Sequence, residues 1–423
     1  TELAPDSAQA WSQLGTIQLT LGDRKSALAA LDKALAIQPK LVDALVARAS
    51  VLLSEKRLDD AQQLLARLKQ DKVLEPRASF MRAVIAESRG DAAVAKAEYT
   101  QAANLVDTMP AGLRGSSEPM LMAGALAHKA LGNAQRTREY AENVLARNGR
   151  HFAAQLLLAQ VLVDAGEIPR AQTMLENLLR AAPQEPQVLY LLGSVYLSRK
   201  QYAQAGEMFD RAAKHSTSLD VTRELAFSQF GLRQEKVALA NLEKVVASNP
   251  RDLRAGIELA IYYARKGQAA KASALAESMT KREPGNLMLL NFLGNIKGRV
   301  NDNAGMRAAY EQVLAKDPKY RQTIINLSML DADESQFDAA RRRLTAWLKD
   351  NPSDAEALMQ LGVVEQRAGR PAAATAAWTK ADSAQTKDPR PGLALTDQLL
   401  SQRQVPQALA AARSLAGKFP EAP

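Results

Sequence analysis

The sequence predicts an all-α protein, a solenoid of about twelve helix–turn–helix repeats. Three observations predict it. Prolines recur at a fixed interval: Pro250, Pro284, Pro318 and Pro352 are each 34 residues apart, as are Pro5 and Pro39. Small residues recur at two fixed places within that interval. Apolar residues between them come at three- and four-residue steps, the period of one face of an α-helix.

Twelve units begin at residues 8, 42, 76, 118, 152, 186, 219, 253, 287, 321, 355 and 389. Each opens with a helix whose eighth position is small: Gly, Ala, Ser or Thr throughout, as at Gly15 and Gly193. Position 15 is glycine in half the units, which suits the left-handed turn that ends a helix. A second helix follows. Its position 20 is Ala in ten of the twelve units, too many for chance, so two helices must approach closely there. A bulky residue at position 8 or 20 would overpack that contact at a cost of roughly 1–3 kcal/mol. Proline at position 32 stops the second helix, and polar residues such as Asp6, Asn286 and Ser353 then cap the next first helix.

Taken in order, unit 1 carries Gly15, Ala27 and Pro39, and units 2 to 4 are the most degenerate. Eight extra residues within "DTMPAGLRGSSEP" separate units 3 and 4. They predict an inserted loop at 108–117 and a break or bend there. The loop divides 1–107 (units 1–3) from 118–423 (units 4–12), within one continuous solenoid. Unit 6 is the cleanest copy, with Leu189, Leu192, Gly193, Tyr196, Tyr202, Ala205, Phe209 and Ala212, and is one residue short around Thr217–Leu219. Units 8 to 10 carry Ala272, Pro284, Pro318 and Pro352. Pro5 is the last proline of a unit whose body is missing, and "KFPEAP" stops where another unit would begin. No polar capping helix follows, although solenoids usually need one. The expectation is a piece of a longer array.

Little chemistry is encoded. There is no cysteine, which excludes thiolate metal sites, disulfides and a cysteine nucleophile. His128, His151 and His215 show no metal-ligand spacing. No phosphate-cradling glycine loop, nucleophile elbow or zinc-protease motif occurs. No enzyme, metal or cofactor is expected. The net charge of +9 is spread over 423 residues rather than gathered in a stripe, so no nucleic-acid partner is expected. The longest apolar stretch, "AAQLLLAQVLVDAG", is too short to span a bilayer. "ARRRL" (340–344) falls on a second helix and is read as a solvated face.

What remains is the face that the first helices turn inward. Positions 2, 5, 9 and 12 or 13 share it. In units 6 to 9 it carries Tyr190, Ser194, Arg223, Phe227, Phe230, Arg254, Ile257, Ile261, Arg265, Asn291, Asn295 and Arg299. Apolar patches flanked by arginine and amide groups suit an extended peptide, an amphipathic helix or an acidic sugar chain.

The pattern of unit 6 resembles the tetratricopeptide repeat, and the resemblance covers essentially the whole chain. It implies a right-handed superhelical solenoid. Chaperone-binding members clamp a C-terminal carboxylate with Lys, Asn, Asn, Lys and Arg. Here Asn295 and Asn326 fall on the asparagine positions, but Asn291, Glu356 and Gln360 replace the cations, so no such clamp is expected. Longer runs at 120–175, 188–213 and 291–344 resemble the PEP-CTERM/exosortase-system TPR-repeat lipoproteins. That resemblance implies a lipoprotein on the periplasmic side of a Gram-negative envelope membrane, held only by an N-terminal lipid anchor absent from this chain. It implies protein partners in exopolysaccharide synthesis and export or in PEP-CTERM protein sorting, and a scaffold role in biofilm or floc formation. Two other readings stand beside it: direct binding of exported polysaccharide in the groove, and a cytosolic TPR adaptor.

Overall fold

The computed structural model describes residues 6–110, 117–384 and 388–419. Those residues form twenty-four helices, numbered α1 to α24 in chain order, and no strand. Odd-numbered helices are the first helices of the repeats: α1 (Ala8–Thr20), α3 (Val42–Ser54), α5 (Pro76–Ser88), α7 (Glu118–Ala130), α9 (Phe152–Asp164), α11 (Pro186–Ser198), α13 (Leu219–Gly231), α15 (Leu253–Arg265), α17 (Leu287–Arg299), α19 (Arg321–Asp333), α21 (Ala355–Arg367) and α23 (Arg390–Ser401). Even-numbered helices are the second: α2 (Arg24–Ile37), α4 (Leu58–Gln70), α6 (Ala92–Asp107), α8 (Ala134–Arg147), α10 (Ile168–Ala181), α12 (Tyr202–His215), α14 (Glu235–Ser248), α16 (Ala269–Arg282), α18 (Asn303–Lys316), α20 (Phe337–Asp350), α22 (Pro371–Ala384) and α24 (Val405–Lys418).

The helices fall into two compact units, Thr1–Arg233 and Gln234–Pro423. Within each, every helix packs on the next in sequence, and first helices also pack on first helices two places on, as α1 on α3 and α15 on α17. Such nearest-neighbour packing is how a repeat with one apolar face buries it.

Inside a hairpin, position 8 answers position 24. A methyl group added to Gly193 would lie 2.8 Å from the Phe209 ring, and one added to Gly15 would lie 2.7 Å from Leu31. Gly294 meets Tyr310, and Gly362 meets Trp378, in the same way. At Ala49 and Ala226, where position 8 is alanine, position 24 is leucine (Leu65, Leu242), although Ala83 in unit 3 stands with Tyr99. So at Gly193, Gly294 and Gly362 the missing methyl makes room for an aromatic ring, and does not merely let two backbones approach. Position 20 is enclosed by the packing: Ala27, Ala205 and Ala272 are fully buried.

The prolines stop helices as expected: α2, α14, α16, α18 and α20 end just before Pro39, Pro250, Pro284, Pro318 and Pro352. The capping residues differ by one position in two places. Ser7 rather than Asp6 caps α1, and Asp354 rather than Ser353 caps α21, while Asn286 caps α17 as read from sequence. The sharper rule is that the capping side chain stands immediately before the first helical residue. Of the expected inserted loop, residues 111–116 lie outside the described residues. The helices on either side, α6 and α7, pack together, and Asp107 on α6 is held by His128 Nε2 at 3.2 Å and by the Tyr140 hydroxyl.

Candidate functional site

In the first unit, α1, α3, α5 and α7 together form a cleft of about 940 Å³, lined also by His151 and Ala153 before and at the start of α9. Its apolar wall comes from first helices: Val46 and Leu53 on α3, Phe80, Met81 and Val84 on α5, Met122 and Leu126 on α7. Ser12, Thr16 and Ser50 add small hydroxyls. Two charged side chains in the wall cancel each other. Arg77 gives a hydrogen bond of 2.8 Å to Asp43 and one of 2.7 Å to Glu75. Burial alone would pull the Arg77 guanidinium down, but the bonds and charges of Glu75 and Asp43 outweigh it and hold it above its ordinary value. The cleft therefore presents apolar surface whose arginine is already paired, which suits the apolar face of a partner and not an anionic ligand.

The residues singled out from sequence lie in both units. Tyr190, Ser194, Arg223, Phe227 and Phe230 belong to the first, and Arg254, Ile257, Ile261, Arg265, Asn291, Asn295 and Arg299 to the second. Tyr190 is half-buried, 5.9 Å from the Phe209 ring, and lines a smaller cleft with Gln160 and Gln187. Ser194 donates to the carbonyl of Tyr190 at 2.9 Å, one helical turn back. Phe227 and Phe230 are half-buried. Arg223 is not an open cation: its side chain is 12% exposed and pairs with Asp220 at 2.6 Å and Glu224 at 3.0 Å.

In the second unit Ile257 and Ile261 are half-buried, and Arg254, Arg265 and Arg299 are exposed. The amides are used within the fold. Asn291 is buried and accepts from the Thr323 hydroxyl at 2.8 Å. Asn295 accepts from Tyr310 at 2.6 Å and from Asn326 at 3.1 Å, so these two asparagines bind each other. The "ARRRL" arginines also depart from a solvated face. Arg341 pairs with Glu365 and Asp338, and Arg343 with Asp331; only Arg342 is exposed.

The apolar cleft was within reach of the sequence. Positions 2, 5 and 9 of units 1 to 4 give Gln9, Asp43, Arg77 and Pro119; Ser12, Val46, Phe80 and Met122; and Thr16, Ser50, Val84 and Leu126; position 12 of units 1 and 2 gives Leu19 and Leu53. These all line it. In those units degenerate signature positions stand beside an inward face that keeps its apolar residues. Among the described residues no group of three or more His, Asp or Glu side chains is placed to hold a metal, and no helix is long and apolar enough to cross a membrane.

Comparison with known proteins agrees with the repeat. The TPR domain of cytochrome c-type biogenesis protein H matches residues 2–111, and the tetratricopeptide repeat family matches 156–218 and 326–389. The chain is a tetratricopeptide-repeat protein. Cellulose synthase operon protein C of Escherichia coli (strain K12) is 25% identical over 224 residues, 53% of this chain and 17% of that protein. Its counterpart in Escherichia coli O157:H7 matches to the same extent. The match thus spans less than a fifth of those relatives' length. Among solved structures, yeast Tom70 covers 97% of this chain and 91% of its own at 13% identity, with a TM-score of 0.49. YrrB, a TPR protein with an unusual peptide-binding site, covers 44% of this chain and 96% of its own at 20% identity, with a TM-score of 0.36.

Proposed function

We propose that this chain is a non-catalytic scaffold of a bacterial envelope system for exopolysaccharide synthesis and export. It holds the apolar segment of a protein partner in the cleft of α1, α3, α5 and α7. The observation that carries the reading is the cleft itself: about 940 Å³ of largely apolar wall whose arginine is already paired. The exopolysaccharide link is supported by the similarity to cellulose synthase operon protein C over half the chain. The longer sequence runs that resemble PEP-CTERM/exosortase lipoproteins extend the proposal to sorting of matrix proteins, with the chain on the periplasmic side of an envelope membrane.

Two measurements test this. Protease added to spheroplasts of the native organism should degrade the protein, and degradation only after lysis would make it a cytosolic adaptor. Ser50→Glu and Thr16→Glu place charge in the cleft from exposed positions. They should reduce secreted exopolysaccharide at unchanged protein level, and undiminished secretion would contradict the reading.

A further inference from the structure

We propose that a second cleft, built by α9, α11 and α13, is a binding subsite for a neutral sugar unit of a glycan. It has a volume of about 380 Å³, within the range of small-molecule sites. It shares no lining residue with the apolar cleft, so the two proposals fail separately.

The two sides of this cleft differ in chemistry. Its floor is apolar: Leu156, Pro186, the ring of Tyr190, Leu191 and Val221. Its edge is polar: Lys129, Gln160, Gln187, Ser216, Ser218 and Asp220. A pyranose has the same division, with a face of C–H groups that packs on an aromatic ring and a rim of hydroxyls that both donate and accept. The edge groups also do both. Ser216 and Ser218 each accept a backbone N–H at 3.2 Å, from Ser218 and Asp220, which leaves each hydroxyl its own proton to give. The Gln160 carbonyl accepts from Lys129 Nζ at 2.5 Å, which leaves the amide N–H groups. Lys129 and Asp220 are of opposite sign, and Asp220 also pairs with Arg223. The edge therefore favours a neutral ligand over an acidic one.

The cleft lies where the repeat breaks register. Unit 6 is one residue short and has Thr217 where Pro250, Pro284, Pro318 and Pro352 stand in later units. After α12 the chain runs extended through Ser216 (φ −146°, ψ 135°), and Ser218 then caps α13. The short connector thus places two hydroxyls on the cleft's edge that a proline turn would not supply.

The test is calorimetric titration of the full chain with cellohexaose and chitohexaose as neutral probes, and with an alginate oligosaccharide as the acidic control. Saturable binding of a neutral probe is expected, unchanged when salt is raised. Tyr190→Ala should weaken it about tenfold, by removing the stacking face. Gln187 is exposed, so Gln187→Ala leaves the fold intact and should also weaken binding. The proposal is overturned if neither neutral probe binds, if both variants bind like the parent, or if only the acidic oligosaccharide binds and salt abolishes it.

Discussion

Phe209 fills the space that Gly193 leaves, and the same exchange of volume recurs at Gly294 with Tyr310 and Gly362 with Trp378. Gly193→Ala should therefore overpack the hairpin and cost about 1–3 kcal/mol. Phe209→Leu on that background should recover part of the loss, because alanine facing leucine is the pairing used at Ala49 and Ala226. Denaturant unfolding of both singles and the double checks this, and additive losses would refute it. Position 15 makes a second case. It has positive φ in all twelve repeats: six are glycine, and the others are Lys56, Lys200, Arg233, Asn301, Ser335 and Arg403. Glycine spacing revealed only half of these turns. The rest are imposed by the hairpin, whose closing bond runs from the position-16 N–H back to the position-11 carbonyl, as Gln201 to Tyr196 at 2.9 Å. Lysine pays for that conformation, so Lys200→Gly should raise stability by up to about 1 kcal/mol. A fall in unfolding midpoint would contradict it.

Between helices, adjacent repeats are tied by charges one repeat apart, at spacings that sequence alone reads as solvated surface. Arg77 reaches Asp43, Arg367 reaches Asp333, and Arg321 grips Asp354 with two bonds of 2.7 Å. Asp354 also accepts from the Trp347 indole at 2.8 Å and caps α21. Burial alone would raise its pKa. The Arg321 and Trp347 hydrogen bonds outweigh burial and bring the carboxyl to about 2, below its ordinary 3.8. The folded value is depressed, so its stabilising effect is complete above the ordinary value and fades as pH falls towards 2. Asp354→Asn should thus lower the unfolding midpoint at neutral pH and converge with the parent near pH 2. A difference that persists unchanged at acid pH would rule this out. Element boundaries were legible because proline and small-residue spacing mark them. The ion pairs were not, because an arginine at the solvent-facing edge of a first helix has the same local pattern whether solvated or reaching a neighbouring repeat.

At the scale of the molecule, tetratricopeptide identity followed from the period and the small residues fixed within it, since a repeat too small to bury its own face must stack. The two compact units did not, because nothing in the period marks residue 233. Gly294→Ala, pressed against Tyr310 in the second unit, should speed amide exchange within 234–419 and leave 6–233 little changed. Uniform acceleration along the chain would contradict separate units. The candidate site was legible as a face but not as a place. Helical spacing marks inward positions in every repeat, but only packing shows which neighbours combine into a cleft and which side chains, such as Asn291 and Arg223, are used within the fold. The most direct test of the scaffold account is photo-crosslinking in native cells from a probe at Phe80, on the wall of the apolar cleft. The account predicts a discrete protein adduct that disappears when Ser50→Glu puts charge beside it. No adduct from a folded, normally abundant protein, or one that Ser50→Glu leaves intact, would contradict it.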